Sequence, residues 1–284
     1  MAADWTAVTV LAPDTNLDML VLTLNRLGIV HRITREDAGS ILWVASPEDV
    51  TPAQNAISQL ERTLALQTKI QALQEGGAAK IGIVQIPITL LWIVLGLVGA
   101  SIVFIAEQLL PVLTFQAFTL VNDGIRFAPA EDLIESGEWW RLITPTFLHF
   151  GLVHVIFNCL WMWELGRRVE WLIGPGAYFF ILLSLSVGAN VGQYISGGPG
   201  IFGGLSGVVY GLLGYIWVRN IRRPHPVLKL LPGIIPIMLG LLVLGLLGVI
   251  DKLIPGQVAN GAHISGLLIG MFFGAFAGKN QSVS

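Results

Sequence analysis

Charged residues are scarce in this sequence of 284 residues, since only 12% are Asp, Glu, Lys or Arg and 54% are hydrophobic. The mean hydropathy of +0.73 is far above the values of soluble domains of this length. The formal net charge is −2 and the basic residues form no extended run, so the chain lacks the electrostatic footprint of a nucleic-acid-binding protein. We therefore expect an integral membrane protein with no nucleic-acid partner.

Cysteine is almost absent as well. The single Cys159 excludes an intrachain disulfide and any cysteine-rich metal site. Because Cys159 lies in an apolar run, we expect it to act as a small hydrophobic side chain.

The chain divides by composition into a soluble part and a membrane part. Residues 1–66 show alternation and helical spacing that predict a small soluble α+β domain of order βαββα. Residues 67–82 are polar and then rich in Gly and Ala, which predicts a flexible linker. Residues 83–278 form the predicted membrane core, and residues 279–284 a cytosolic tail. No cluster in the soluble domain resembles a site, so the sequence leaves its role open, and a regulatory or partner-binding module is one alternative.

Apolar runs indicate six membrane helices. Five runs have spanning length, at about 83–105, 149–166, 171–194, 226–250 and 259–277, and a shorter one lies between Ser206 and Val218. Lys and Arg gather in the second and fourth connections and in the tail, which predicts that these segments and both termini are cytoplasmic. The first connection, about 106–148, is long and acidic, and we expect it on the opposite side.

Four strongly polar side chains fall within these runs: His154, Asn158, Ser206 and His263. Such residues are costly in a bilayer and are usually functional. Counted from the cytoplasmic ends at about 1.5 Å per residue, they share one level, roughly 10 Å below the outer surface. The short helix therefore begins inside the membrane, and the Gly-rich stretch 197–204 before it must line a watery cavity or be covered by protein.

Small residues allow the fourth and sixth helices to approach closely. They follow Ser206 at Gly207, Gly211 and Gly214, and form a stripe beside His263 at Ala262, Gly266, Gly270 and Gly274. Backbone contact along these stripes brings Ser206 within reach of His263, which is the nucleophile and base arrangement of acyl transfer. Each motif alone is weak, because small-residue stripes usually mark plain helix packing. Because Ser206 and His263 share one depth and lie on the helix faces that meet, the two motifs together favour a catalytic pair over plain helix packing.

His154 and Asn158 are four residues apart and so share a helix face, from which both can donate hydrogen bonds to an oxyanion. A competing interpretation is a metal site formed with His149. Five residues rotate a helix by about 140°, so we do not expect His149 beside His154, and no carboxylate lies at this depth. Glu164 lies further in and is spaced to pair with Arg167 or Arg168.

No Asp or Glu accompanies His263 within the membrane, so the predicted catalytic unit is a dyad. Tyr210 lies one turn beyond Ser206 and is placed either to support the imidazole or to fill space between helices.

Four stretches resemble the motifs of the rhomboid family of intramembrane serine proteases. They are Glu138–Arg141, His149–Asn158, Gly203–Tyr210 and Ala259–Gly266. The similarity extends over about 135–277, and the first third resembles the cytosolic domain of enterobacterial-type members. Residues 196–202 match the family only at their Ser-Gly and Phe ends. The resemblance implies a six-helix bundle in a bacterial inner membrane that cuts single-span transmembrane proteins near the periplasmic face.

The resemblance also implies roles for individual residues. Ser206 attacks the peptide carbonyl and His263 takes its proton, while His154, Asn158 and the Ser206 N–H hold the oxyanion. The implied supporting positions are Tyr210, Gly204, His149, Glu138 and Arg141, the last two shaping a first connection that dips into the outer leaflet. No cofactor or metal is implied, and the partners are membrane lipid and substrate helices.

Two other functions remain open from the sequence. A catalytically silent relative that binds transmembrane helices would be signalled by loss of the Ser or His, and both are present here. A transporter or channel favours repeated halves with matching broken helices, but only one interrupted segment is found.

Overall fold

The computed structural model describes residues 5–11, 15, 17–36, 39–75, 81–122, 124–252 and 257–278. The chain forms two compact units, Met1–Glu75 and Gly76–Ser284, which are described separately.

The first unit is a small α+β fold. Its elements are β1 (Thr6–Leu11), α1 (Leu17–Arg26), β2 (His31–Glu36), β3 (Gly39–Val44) and α2 (Val50–Glu75), which is the predicted order. The sheet is antiparallel with strand order β1-β3-β2. Leu20 and Leu24 of α1 are four residues apart, share one helix face, and pack with Leu42 and Ala53 in a fully buried core.

Helix α2 is longer than the sequence analysis predicted. It continues to Glu75, so residues 67–75, expected in the linker, are helical. This stretch is composed largely of Gln, Lys, Ala, Leu and Glu, which are strong helix formers, and the first glycine is Gly76. Of the remaining linker residues 76–82, residues 76–80 lie outside the described residues, as does the tail 279–284.

The second unit is a helical bundle. Its helices are α3 (Pro87–Ile105), α4 (Leu110–Leu113), α5 (Glu131–Glu135), α6 (Leu152–Trp161), α7 (Arg167–Ile173), α8 (Pro175–Gly197), α9 (Ser206–Arg222), α10 (Ile234–Leu246) and α11 (Asn260–Phe276). A π-helical turn at Met162–Gly166 joins α6 to α7. Among the described residues, α3 and α8 are long and apolar enough to cross a membrane, while α10 and α11 are apolar but shorter. Much of this apolar surface faces outwards.

Two helix boundaries differ from the apolar runs. Arg167 and Arg168, expected in a connection, lie in the helical segment, because the chain breaks only at Gly174, which has a φ of 80°. Both arginines pair with Glu164, so the predicted pairing is found and the charges are tolerated within a helix. The run 226–250 is α-helical only from Ile234, since Pro232 and Gly233, with a φ of 100°, interrupt it.

The first connection is built from short elements instead of one regular structure. It contains α4, a hairpin of β4 (Phe118–Val121) with β5 (Gly124–Phe127), α5, and two 3₁₀ turns at Trp139–Leu142 and Thr144–Phe147.

Helix α9 lies at the centre of the bundle. Val208, Val209, Leu212, Leu213 and Ile216 are all buried, so apolar side chains leave every face of the helix toward a neighbour. A helix that is apolar all round is stable only when other helices enclose it, and α9 packs against both α8 and α11.

The predicted contact between the two small-residue stripes is present. A Cβ on Gly266 would collide with the Gly207 carbonyl, and a Cβ on Gly270 would collide with that of Gly211. The backbones of α9 and α11 therefore touch, which only glycine permits at these positions.

A buried carboxylate that the sequence analysis overlooked holds the start of α3. Glu170 of α7 is fully buried, and its two oxygens accept the N–H groups of Ile88 (2.8 Å) and Thr89 (2.7 Å). These N–H groups lie in the first turn of α3 and have no partner within the helix. The N-terminus of α3 is thus capped by a side chain from α7 and not by a neighbouring residue of its own chain segment.

Gly270→Ala tests the contact between α9 and α11. We expect this variant to lose about 1–3 kcal/mol of unfolding free energy, the usual cost of overpacking, because the methyl group meets the Gly211 carbonyl. Gly240→Ala in α10 is the matched control, since a Cβ there meets nothing within 4 Å. Unfolding in mixed SDS micelles measures both. Equal stabilities of the two variants would refute the contact.

Candidate active site

The Ser206 hydroxyl and the His263 imidazole form the centre of the site. Ser206 is the first residue of α9, and His263 lies in the first turn of α11. His263 Nε2 lies 2.8 Å from Ser206 Oγ, although the residues are 57 apart in sequence. When Nε2 carries no proton, it can accept the hydroxyl proton and leave the oxygen nucleophilic.

Tyr210 packs against the imidazole. The ring centroids of Tyr210 and His263 are 4.6 Å apart with an interplanar angle of 36°. The Tyr210 hydroxyl donates to the Met238 carbonyl in α10 at 2.9 Å, which holds the phenol ring in place. Within the described part of the chain, no carboxylate hydrogen-bonds to His263. The imidazole is therefore oriented by packing.

His154 and Asn158 of α6 lie against the residue two positions before Ser206. Gly204 has a φ of 122°, and a Cβ there would be 2.8 Å from His154 Nε2 and 3.4 Å from Asn158 Nδ2. Asn158 is only 5% exposed, and its Nδ2 has no hydrogen-bond partner. An unsatisfied buried amide costs about 1–3 kcal/mol, so the site holds a donor that is ready for an acceptor from outside the chain.

His149 links the end of the first connection to Leu205, the residue before Ser206. Its Nδ1 lies 2.9 Å from the Phe147 carbonyl, and the Leu205 N–H donates to its Nε2 at 3.3 Å. A neutral ring with its proton on Nδ1 satisfies both contacts. Both ring nitrogens are therefore engaged within the protein.

The expectation that His149 could not lie beside His154 was wrong. The two rings are 5.0 Å apart, because α6 begins only at Leu152 and helical rotation does not apply to His149. Even so, the described residues contain no group of three or more His, Cys, Asp or Glu side chains that could hold a metal ion.

Arg141 and Glu138 order the far side of the first connection. Arg141 is 4% exposed, and its Nε lies 2.6 Å from Glu138 Oε2. Its Nη1 donates to the carbonyls of Pro111 (2.7 Å) and Thr114 (3.0 Å). One guanidinium thus joins segments about 30 residues apart. Trp139 and Trp140 beside it are exposed.

Only the end of the Gly-rich segment before Ser206, from Phe202 to Gly204, packs against the first connection, while Gly197 and Pro199 are exposed. The Gly204 N–H donates to the Pro145 carbonyl at 3.0 Å. Phe202 lies 5.8 Å from Phe115, which in turn stacks on Tyr194 at 5.1 Å. The hydrogen bond of Gly204 satisfies one polar group of this non-helical backbone, and the ring contacts pack the side chain of Phe202.

Two polar residues of α8 near the site were missed in the sequence analysis. Asn190 Nδ2 donates to the Leu142 carbonyl (2.8 Å) and to Thr146 Oγ1 (3.1 Å), which ties α8 to the first connection. Gln193 Oε1 accepts the N–H of Ala262, next to His263, at 3.2 Å. Both lie at the end of an apolar run, so the criterion that singled out His154 and Asn158 could have found them.

A helical bundle with a hydrogen-bonded Ser–His pair and an orphaned amide beside it has the arrangement of a serine hydrolase site set among apolar helices. The family model described as the Rhomboid domain matches residues 136–280, about half of the chain. The protein belongs to the rhomboid family, and the resemblance seen in its motifs is confirmed. It is a helical membrane bundle with a small N-terminal α+β unit.

Curated relatives agree with this assignment. The rhomboid proteases GlpG of Salmonella newport, Salmonella heidelberg and Salmonella typhimurium are each 38% identical to this chain over 163 residues. The aligned region covers 56% of this chain and 57% of each relative. The match thus spans little more than half the length of the relatives.

Gly204→Ala tests the contact between Gly204 and the His154 ring. The methyl group imposes the strain of a positive φ, about 1–2 kcal/mol, and displaces His154. We expect labelling of Ser206 by a fluorophosphonate to slow on the order of tenfold, since about 1.4 kcal/mol is tenfold in rate. The rate is read from gel fluorescence over time.

Gly200→Ala in the same segment is the control for this measurement, because a Cβ there meets nothing within 4 Å. It should label at the wild-type rate. Equal labelling of both variants would show that the contact does not position the site.

Proposed function

We propose that the protein is an intramembrane serine endopeptidase that hydrolyses peptide bonds in or next to transmembrane helices of single-span proteins. The observation that carries this proposal is the 2.8 Å contact between Ser206 Oγ and His263 Nε2. The names of the relatives, which are rhomboid proteases, support it.

In the proposed mechanism, Ser206 Oγ attacks the scissile carbonyl carbon while His263 Nε2 takes the hydroxyl proton. The tetrahedral intermediate collapses when the imidazolium gives that proton to the leaving amine, which leaves an acyl group on Ser206. Water then attacks the acyl-enzyme with His263 again acting as base, and Ser206 recovers its proton. No cofactor or metal takes part in these steps.

The negative charge on the carbonyl oxygen is stabilised by donors of α6 and α9. Asn158 Nδ2 is buried without a partner, so an oxyanion gives it the hydrogen bond that it lacks. His154 adjoins it across Gly204. The Ser206 N–H lies at the N-terminus of α9, where the helix dipole favours negative charge. Donors that are fixed before the reaction stabilise the transition state without reorganisation.

The remaining site residues position this machinery. Tyr210 holds the plane of the His263 ring in place of an acid, and His149 holds the Leu205 N–H. Gly204 leaves room for the His154 ring. Arg141 and Glu138 fasten the first connection over the end of the Gly-rich segment.

The substrate must unwind locally before it is cut, because a helix hides its carbonyls and its N–H groups in internal hydrogen bonds. Small or helix-weakening residues near the outer end of a transmembrane helix favour this unwinding. We therefore propose single-span substrates that carry small side chains before the cleaved bond.

We further propose six spans in a bacterial inner membrane, formed by α3, α6 with α7, α8, α9, α10 and α11. Basic residues lie at the end of α9, at Arg222 and Arg223, and at the start of α7, at Arg167. Because Lys and Arg collect on the cytoplasmic side, these ends and both termini are predicted to be cytoplasmic. The site then opens to the periplasm, since Ser206 is at the opposite end of α9.

Cleavage in proteoliposomes tests the proposed activity. Wild type should cut a tagged single-span substrate, and Ser206→Ala and His263→Ala should not. Asn158→Ala should lower kcat by about 10²–10³ with little change in KM, as expected for loss of one oxyanion donor. Gel band shifts over time measure these rates.

The control for the amide is Asn122→Ala, an exposed residue in the β4–β5 hairpin, which should cut at the wild-type rate. Cleavage by the Ser206 or His263 variants would refute the dyad. Helix binding without cleavage by wild type, over substrates with Gly- or Ala-rich outer ends, would favour the catalytically silent alternative.

Cysteine accessibility tests the proposed topology in a Cys159→Ala background. In intact spheroplasts, a membrane-impermeant maleimide should label Asn122→Cys and Pro199→Cys, which lie in the first and third connections. It should label Gly176→Cys and Pro224→Cys only after the membrane is permeabilised. The reverse pattern, or equal labelling of adjacent connections, would contradict six spans with both termini inside.

A further inference from the structure

An apolar groove lies at the end of α9 that is farthest from Ser206. It has a volume of about 280 Å³ and is formed by the last turns of α9 and by residues 228–236, which lead into α10. Most of its lining is apolar and includes Ile216, Trp217, Ile221, Leu230, Leu231 and Pro236. Pro232 and Gly233, which interrupt the helical run before Ile234, also line the groove.

The groove opens toward the surroundings of the bundle. Ile221 is 70% exposed and Leu231 is 56% exposed, although both are large apolar side chains. In a helical membrane bundle, such side chains at a helix end face the hydrocarbon next to the headgroups. An acyl chain therefore has the chemistry that this lining requires.

Basic residues surround the groove. No Asp or Glu lies close to them along the chain. Lys229 lines the groove itself, and Arg222 and Arg223 directly follow Ile221. The sequence contains no Asp or Glu between Glu170 and Asp251. The pKa of His225 is lowered by partial burial and by the positive charge of Arg219, which agrees with a positive local potential.

Two carboxylates of the preceding helical segment, Glu164 and Glu170, are already engaged, Glu170 by the N–H groups at the start of α3. Glu164 contacts both Arg167 and Arg168. Arg168 also donates to the carbonyls of Val227 (2.9 Å) and Lys229 (3.2 Å). This contact adds positive charge to the loop and fixes the backbone that carries Lys229.

We propose that this groove binds one anionic phospholipid, with an acyl chain along Trp217 and Leu231 and the phosphate beside Lys229. Basic residues at the cytoplasmic surface attract anionic headgroups, and a long Lys side chain can reach them while its methylene groups cover apolar surface. The bound lipid joins the end of α9 to the start of α10. The proposal goes beyond the protease function and does not depend on it.

Trp217 provides the measurement because it lines the groove. The full-length protein is titrated in neutral detergent micelles with phosphatidylglycerol or phosphatidylcholine brominated on the acyl chains, and tryptophan fluorescence is recorded. The same titration of Trp217→Phe is subtracted, because the chain has nine tryptophans. We expect Trp217 quenching to reach half its maximum at a lower mole fraction of the anionic lipid, by about fivefold or more.

Two variants test the two parts of the site. Lys229→Gln should weaken the anionic lipid about fivefold, which corresponds to about 1 kcal/mol, and leave the zwitterionic lipid unchanged. Leu231→Ser should weaken both lipids. Lys252→Gln, an exposed lysine beyond the other end of α10, is the matched control and should bind as wild type. Circular dichroism of each variant checks that it is folded.

Three results would overturn the proposal. Equal quenching by both lipids would reduce the groove to general lipid contact. Equal effects of Lys229→Gln and Lys252→Gln would show that the preference reflects the charge of the whole protein. Absence of Trp217 quenching by either lipid would show that another part of the chain or a partner covers the groove.

Discussion

The backbone contact between α9 and α11 is the constraint on which the site depends. Ser206 and His263 are brought to 2.8 Å by two helices whose glycines let carbonyl oxygens lie where side chains would otherwise be. Among the described residues no carboxylate hydrogen-bonds to His263, so the packing of these helices and the Tyr210 ring orient its imidazole. Small changes in helix packing therefore alter the geometry of the hydroxyl and the imidazole together.

The first connection and α8 complete the site around this contact. Arg141, His149 and Asn190 use their hydrogen bonds to fasten irregular backbone, including the segment that leads into Ser206. Such backbone is tolerated in a membrane bundle only when it is partnered by protein or water. The same arrangement leaves Asn158 Nδ2 without a partner.

The two ends of α9 carry different chemistry. The end at Ser206 holds neutral polar groups around an open helix N-terminus, which suits the formation of an oxyanion. The end at Arg222 carries basic side chains beside an apolar groove. Ion pairs and a buried carboxylate cap occur near this second end, at Glu164 and Glu170, where they fix α7 to α3 and to the loop before α10.

The sequence by itself determined the membrane class, the α+β unit and the pairing of Ser206 with His263, because these follow from hydropathy, periodicity and helical spacing, and its motifs indicated the rhomboid family by resemblance. Only the tertiary structure decided that the second helical segment continues to Ile173, that His149 lies beside His154, and that Glu170 caps α3. The roles of Asn190 and Gln193 were decided in the same way. The bonds of Glu170, Asn190 and Gln193 join groups far apart in the chain, so their partners are known only after the connections fold back, and His149 reaches His154 because α6 begins only at Leu152.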